Sequence, residues 1–225
     1  MDELFDHLNR RIDHALLKPE ATQADILAGA ELCRDLNLCA FCVNPVWVPV
    51  AAEVLRDTDA AVISVAGFPL GASRSDTKTD EALRAVNDGA HEIDMVANIG
   101  WLRSNEMTRV RDEIEIVRKA LPYNISLKVI IECTLLSSEQ QIDAVTAVTD
   151  GGAQFVKTGT GFVGGATIEQ VECLVKAAKG KIEVKAAGGI RTLDDCRTML
   201  TAGATRIGSS SSADIVAQWR QNAGQ

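Results

Sequence analysis

One local pattern recurs along this chain and limits what it can become. Asn87-Asp88-Gly89-Ala90 precedes an apolar run at Ile93, Asp150-Gly151-Gly152-Ala153 precedes Phe155-Val156, and Thr201-Ala202-Gly203-Ala204 precedes Arg206-Ile207. Each time a helical pattern stops, a glycine can supply the left-handed residue that ends a helix, and a strand begins two or three residues later. That is the signature of repeated αβ units with short connections.

Counting the units predicts strands at Ile12–Leu16, Cys39–Val43, Ala61–Val65, Glu92–Val96, Leu127–Ile131, Gln154–Lys157, Ile182–Ala186 and Thr205–Gly208. Helical patterns fall between and after them, at 22–36, 46–56, 76–88, 104–120, 138–149, 168–179, 193–202 and 213–220. Eight alternating units in 225 residues predict an α/β fold, a (β/α)₈ barrel filling residues 1–225 as a single domain. An open doubly wound sheet is the alternative, but it needs fewer strands and a crevice motif that the sequence lacks.

The net charge of −8 argues against nucleic acid or an anionic membrane as a general partner, though a few backbone N–H groups can still build a local phosphate site. Met1-Asp2-Glu3-Leu4-Phe5-Asp6 is acidic and does not read as a signal peptide. The best apolar run, Cys39 to Leu55, is interrupted by Asn44, Pro45 and Pro49, so no membrane span is expected and the cytoplasm is the expected location. Among six cysteines, Cys39-x-x-Cys42 formally matches a redox or zinc pattern. No second Cys or His pair complements it, and buried reduced thiols are the expected state.

Strand parity gives the next constraint. In Leu127-Lys128-Val129-Ile130-Ile131-Glu132 one face is Leu127, Val129 and Ile131, and the other is Lys128, Ile130 and Glu132. Ile93 and Met95 likewise oppose Glu92 and Asp94, and Ile182 and Val184 oppose Glu183 and Lys185. With apolar faces packed on the outer helices, Asp94, Lys128, Glu132, Lys157, Glu183 and Lys185 point into the barrel. Barrel interiors are usually filled by branched apolar residues. A neutralising salt-bridge network can account for charges low in the barrel, such as Glu92 or Glu183. It accounts less well for Lys157 and Lys185, which end strands six and seven where barrel active sites lie.

Burying an unpaired ammonium is costly, and two neighbouring lysines would each depress the other's pKa. An amine kept neutral near pH 7 is a nucleophile for carbonyl carbon, which points to Schiff-base chemistry. One lysine would condense with a carbonyl while the other, protonated, favours the neutral form of its neighbour. The resulting iminium is an electron sink for C–C bond cleavage, and Asp94 at the end of strand four is the candidate acid/base, directly or through a water. A plain salt bridge is the alternative role for Asp94.

Gly188-Gly189-Ile190-Arg191-Thr192 follows strand seven and Gly208-Ser209-Ser210-Ser211 follows strand eight, where phosphate-binding barrels hold the phosphate. Thr160 and Gly161 belong to a third glycine-rich loop, after strand six. Candidate phosphate-site residues are therefore Thr160, Gly161, Gly188, Gly189, Arg191, Gly208, Ser210 and Ser211. The alternative reading of these segments is tight turns with helix-start signals, Thr192-x-x-Asp195 and Thr167-x-x-Gln170.

Taken in order, Ile12-Asp13-His14-Ala15-Leu16-Leu17-Lys18-Pro19, Cys42-Val43-Asn44-Pro45, Gly67-Phe68-Pro69-Leu70-Gly71, Glu92-Ile93-Asp94-Met95-Val96, Leu127-Lys128-Val129-Ile130-Ile131-Glu132, Phe155-Val156-Lys157-Thr158 and Lys185-Ala186-Ala187-Gly188-Gly189-Ile190-Arg191-Thr192 resemble the deoxyribose-phosphate aldolases, a class I aldolase family. The resemblance runs nearly end to end. It implies a (β/α)₈ barrel that reversibly cleaves 2-deoxy-D-ribose 5-phosphate to D-glyceraldehyde 3-phosphate and acetaldehyde without metal or other cofactor. By motif match, Lys157 resembles the Schiff-base lysine and Lys185 the second lysine that tunes it. Asp94 resembles the acid/base aspartate and Lys128 an auxiliary active-site lysine. Gly159 stands where many members carry serine, Ala15 where many carry threonine, and the chain ends Asn222-Ala223-Gly224-Gln225 where some members end in tyrosine.

The expected partners are a phosphorylated sugar and small aldehydes. Other readings are a lysine aldolase for a different sugar phosphate or keto acid, a sugar-phosphate isomerase or epimerase on the same barrel, and a non-enzymatic phosphometabolite binder. Assembly as a homodimer or homotetramer stays open, as does whether Trp47, Trp101 and Trp219 serve the core or an interface.

Overall fold

The computed structural model of the protein describes residues 5–223. Met1 to Leu4, part of the acidic start discussed above, and Gly224-Gln225 at the C-terminus lie outside them. Eight strands close into one barrel in the order of the chain, and every neighbouring pair is parallel. They are β1 (Ile12–Leu16), β2 (Ala40–Val43), β3 (Ala61–Ala66), β4 (Glu92–Val96), β5 (Ser126–Ile130), β6 (Phe155–Lys157), β7 (Glu183–Ala187) and β8 (Arg206–Ser209). The helices are α1 (Gln23–Asp35), α2 (Val48–Leu55), α3 (Ser75–Asn87), α4 (Ile99–Arg103), α5 (Met107–Ala120), α6 (Ser138–Asp150), α7 (Ile168–Ala178), α8 (Leu193–Thr201) and α9 (Ser212–Ala223).

All eight expected strands are present, with ends displaced by at most one residue, so the chain forms the (β/α)₈ barrel and not the open sheet. The glycines that end the helical patterns take the left-handed backbone they were expected to supply, with φ of 111° at Gly89, 84° at Gly152 and 103° at Gly203. Two helix expectations are corrected. The pattern at 46–56 opens as a 3₁₀ turn, Pro45–Trp47, before α2, because Pro45 and Pro49 suit only first-turn positions. The pattern at 104–120 begins late, as α5 at Met107, and an unexpected short helix α4 precedes it: the Asn98 side chain starts α4 by accepting the Trp101 N–H at 3.1 Å, and left-handed Asn105 separates α4 from α5.

Parity explains the packing. Ile12, Ile93, Met95, Leu127, Val129 and Val184 are buried in the layer between barrel and helices, with Ile26, Ile114, Val145 and Leu174 of the helices. Burying a side chain of this kind is worth roughly 1.5–3 kcal/mol. A separate small cluster of Ala40, Cys42, Ile63 and Val65, joined by Ala15, Leu17 and Phe68, lines the inner side of β1–β3. The lumen therefore has an apolar side and a charged side. Trp47, Trp101 and Trp219 are partly buried against the main core.

Candidate active site

The charged side of the lumen is one connected network. Lys157 Nζ and Lys185 Nζ donate to the same oxygen, Asp94 Oδ2, at 2.7 and 2.8 Å. Lys128 Nζ lies 3.1 Å from Asp94 Oδ1 and also pairs with Glu92. Lys185 pairs with Asp13 Oδ2 at 2.6 Å, and Arg206 donates to Asp13 Oδ1 at 2.7 Å. Register produces this meeting. Lys157 sits opposite Lys185 on β6 and β7, and Asp94 opposite Lys128 on β4 and β5, so all four point inward at neighbouring levels. Below them the Phe155 ring is 5.7 Å from both Lys128 Nζ and the Arg206 guanidinium carbon, closing the floor with cation–π contacts.

Asp94, Lys128 and Lys185 are fully or almost fully buried, and Lys157 is 4% exposed. Burial alone would raise the Asp94 carboxyl, yet the charges of Lys128, Lys157 and Lys185 hold it well below the usual carboxylate range. Asp13 is likewise held low against its burial, by Lys185, Arg206 and Lys128. For Lys185 the expected depression is overturned. Burial pulls it down, but the Asp13 and Asp94 carboxylates raise it, so it is a firmly protonated ammonium. Lys128, Lys157, Lys185 and Arg206 are four basic groups against the three carboxylates Asp13, Glu92 and Asp94. Lys157 touches only an oxygen it shares. Basic groups therefore outnumber carboxylates by one in this network, and Lys157 is the one without a carboxylate to itself.

Above the network opens a cavity of about 470 Å³ lined by Lys157, Lys185, Ala15, Leu17, Cys42 and the loops after β6, β7 and β8. Of the expected phosphate-site residues, Thr160, Gly161, Gly188, Gly189, Arg191, Gly208 and Ser210 line it. The loops interlock closely: Ala166 N–H donates to the Gly188 carbonyl at 3.0 Å, and a Cβ on Gly188 would lie 2.8 Å from the Gly164 carbonyl oxygen. Both helix-start boxes also form, at Thr167 with Gln170 and at Thr192 with Asp195.

Four expected residues sit differently. Ser211 does not line the cavity, and its N–H is taken by Ser209 Oγ at 2.9 Å. The Thr160 N–H and hydroxyl both point to Glu132, the hydroxyl at 2.5 Å, because Glu132 lies just past the end of β5 in a left-handed conformation and turns away from the lumen. Glu132 therefore braces the loop after β6 instead of joining the inner charges. Glu183, the first residue of β7, is exposed at the bottom of the barrel and accepts the Thr205 hydroxyl at 2.7 Å.

Asp13 and Arg206 are inner-network members that the sequence reading did not single out. The signal existed, since each is a charge inside a short strand beside apolar neighbours. Cavity-lining Ser209 and Lys18 were also not singled out as site residues, although both lie inside quoted segments, Gly208-Ser209-Ser210-Ser211 and Ile12 to Pro19. All six cysteines are free. Burial pushes the thiols of Cys39 and Cys42 up to about 11, so both are protonated at neutral pH.

The family described as DeoC/LacD family aldolase matches residues 3–218 of this chain. The deoxyribose-phosphate aldolase of Caldanaerobacter subterraneus subsp. tengcongensis is 45% identical over 223 residues, covering 98% of this chain and 96% of the relative. That of Natranaerobius thermophilus is 47% identical over 213 residues, covering 94% and 97%. Among solved structures, an aldolase called QR15 superposes with a TM-score of 0.92 at 36% identity, covering 97% of this chain and 99% of that one. A tetrameric deoxyribose phosphate aldolase from Aeropyrum pernix superposes with a TM-score of 0.89 at 30% identity, covering 98% and 96%. With a matching family over nearly its whole length, close relatives and an aldolase barrel, the chain belongs to the DeoC/LacD aldolase family.

Proposed function

We propose that this chain cleaves 2-deoxy-D-ribose 5-phosphate reversibly to D-glyceraldehyde 3-phosphate and acetaldehyde, with Lys157 as the imine-forming nucleophile. The observation that carries the reading is the shared oxygen. Lys157 has no carboxylate of its own, faces the cavity, and lies beside an ammonium that two carboxylates keep charged. That placement leaves Lys157 Nζ open toward the cavity, where a substrate carbonyl carbon can meet it.

Lys157 Nζ adds to the aldehyde carbon C1 of the open-chain sugar, and loss of water gives the iminium. The hydroxyl on C3 gives up its proton, the C2–C3 bond breaks, and its electron pair moves onto the iminium as an enamine. D-Glyceraldehyde 3-phosphate leaves. Protonation of the enamine carbon and hydrolysis then release acetaldehyde and the free lysine. Asp94 is the acid/base group in this reading. Once Lys157 is an imine, Lys185 alone is left on Asp94 Oδ2, and that oxygen has room for the hydroxyl proton. Lys185 keeps the region positive and Lys128 holds the other Asp94 oxygen. The apolar wall of Ala15, Leu17 and Cys42 suits the two-carbon donor, while Gly188, Gly189, Arg191, Gly208 and Ser210 receive the phosphate.

Borohydride reduction in the presence of 2-deoxyribose 5-phosphate, followed by peptide mass mapping, tests the assignment. A reduced adduct on Lys157, absent from Lys157→Leu together with turnover, is the expected result. An adduct on another lysine, or turnover retained by Lys157→Leu, overturns it.

The same reading places the enzyme in the cytoplasm, where sugar phosphates and free thiols belong, and as a homodimer or homotetramer. Light scattering of the purified protein checks the assembly. Among the described residues no helix is long and apolar enough to cross a membrane.

A further inference from the structure

A buried polar pair outside the lumen is not used by the chemistry above. His14, on the outer side of β1, stacks on Phe41 with ring centroids 5.5 Å apart and planes at 15°. Helix α1 presses close at Gly29, where a Cβ would lie 2.7 Å from the Phe41 ring and 3.6 Å from His14 Nε2. The imidazole thus has little room to turn. Its Nδ1 is 2.6 Å from Oγ of Ser212, and both residues are buried. Ser212 is the first residue of α9. The His14 backbone also pairs in register with Ser209, the last residue of β8. One residue of β1 therefore holds both ends of the turn 209–212. Within that turn, the Ser209 hydroxyl donates to the Ile190 carbonyl at 2.7 Å and accepts the Ser211 N–H at 2.9 Å, while Ser210 stands exposed in the cavity wall.

We propose that His14 and Ser212 are positioning residues for the sugar phosphate, their hydrogen bond pinning the start of α9 so that the turn after β8 presents Ser210 to the phosphate. Neither touches substrate; both act through the turn. A buried hydroxyl and a buried imidazole left without each other would draw the turn toward other partners and loosen it. The inference rests on the phosphate placement of the preceding section and adds which residues outside the cavity set it.

The test is the ratio of kcat/KM for 2-deoxy-D-ribose 5-phosphate to that for 2-deoxy-D-ribose, measured on the full chain. A loss confined to the phosphate shows in this ratio, whereas general loosening of the barrel lowers both rates alike. Ser212→Ala and His14→Phe, the latter keeping a ring against Phe41, are expected to lower the ratio by about 10-fold, the size of one lost buried hydrogen bond. Ser212→Thr, which keeps the hydroxyl, is expected to restore it. A parental ratio in both Ser212→Ala and His14→Phe, or an equal loss on both sugars, overturns the proposal. A parent enzyme that does not prefer the phosphorylated sugar instead overturns the phosphate placement, and the proposal with it.

Discussion

The Nζ atoms of Lys157 and Lys185 meet on one atom, Oδ2 of Asp94, at 2.7 and 2.8 Å. Lys185 has Asp13 as a second carboxylate and Lys157 has none, so the two lysines differ in charge environment although their backbones are paired side by side. Asp94→Asn keeps the shape but removes the charge. It is expected to lower kcat by about 10²–10⁴-fold, the usual worth of a positioned acid/base. It also leaves buried ammonium groups short of a carboxylate, costing about 3–5 kcal/mol of stability. Steady-state kinetics with denaturant unfolding checks both, and a kcat within a few-fold of the parent would remove Asp94 from the mechanism.

Arg191 lines the cavity mouth beside Gly188 and Gly189, and its backbone N–H is fixed by Asp195 at 2.9 Å. Its side chain is exposed, so its truncation should leave the fold intact. Arg191→Ala is expected to raise KM for the phosphorylated sugar by about 10-fold with little change in kcat, as loss of a charge-assisted contact common to ground and transition states requires. Unchanged KM would move the phosphate away from this loop.

Gly159 sits tight against the Glu132 carboxylate. A Cβ there would lie 2.6 Å from Glu132 Oε1, and the Glu132 carboxylate is held by the Thr160 N–H and hydroxyl. Gly159→Ser is therefore expected to destabilise the protein by about 1–3 kcal/mol through overpacking, lowering Tm by several degrees. An unchanged Tm would show that Glu132 yields freely.

Burial lowers the His14 imidazolium to about 4, against about 6.5 in the unfolded chain. As pH falls the unfolded chain takes up this proton first. The contribution of neutral His14 is thus complete above about pH 6.5 and is lost progressively down to about pH 4, some 3 kcal/mol in all. Lys18, Glu20 and Asp25 line the same groove, so the comparison must cancel them. The difference in unfolding free energy between parent and His14→Phe should shrink by that amount across the interval. A pH-independent difference would show His14 charged in the fold.

Sequence alone determined the barrel and most of its polar lining. Period-two alternation in Glu92-Ile93-Asp94-Met95 and Leu127-Lys128-Val129 assigns each side chain to a face, and the glycines at 89, 152 and 203 mark where helices end. Such signals are local, so they can be read without knowing what lies across the fold. The tertiary structure decided what depends on distance between remote segments. Asp13 of β1 meets Lys185 of β7 only because the barrel closes β8 onto β1, and that meeting turns the expected mutual depression of two lysines into a raised Lys185. Glu132 left the lumen because β5 ended one residue early, and Ser212 found His14 across the seam between the two ends of the chain. Periodicity fixes the direction a side chain takes from its own backbone; closure of the barrel chooses the atoms it meets there, and Coulomb energy depends on those atoms.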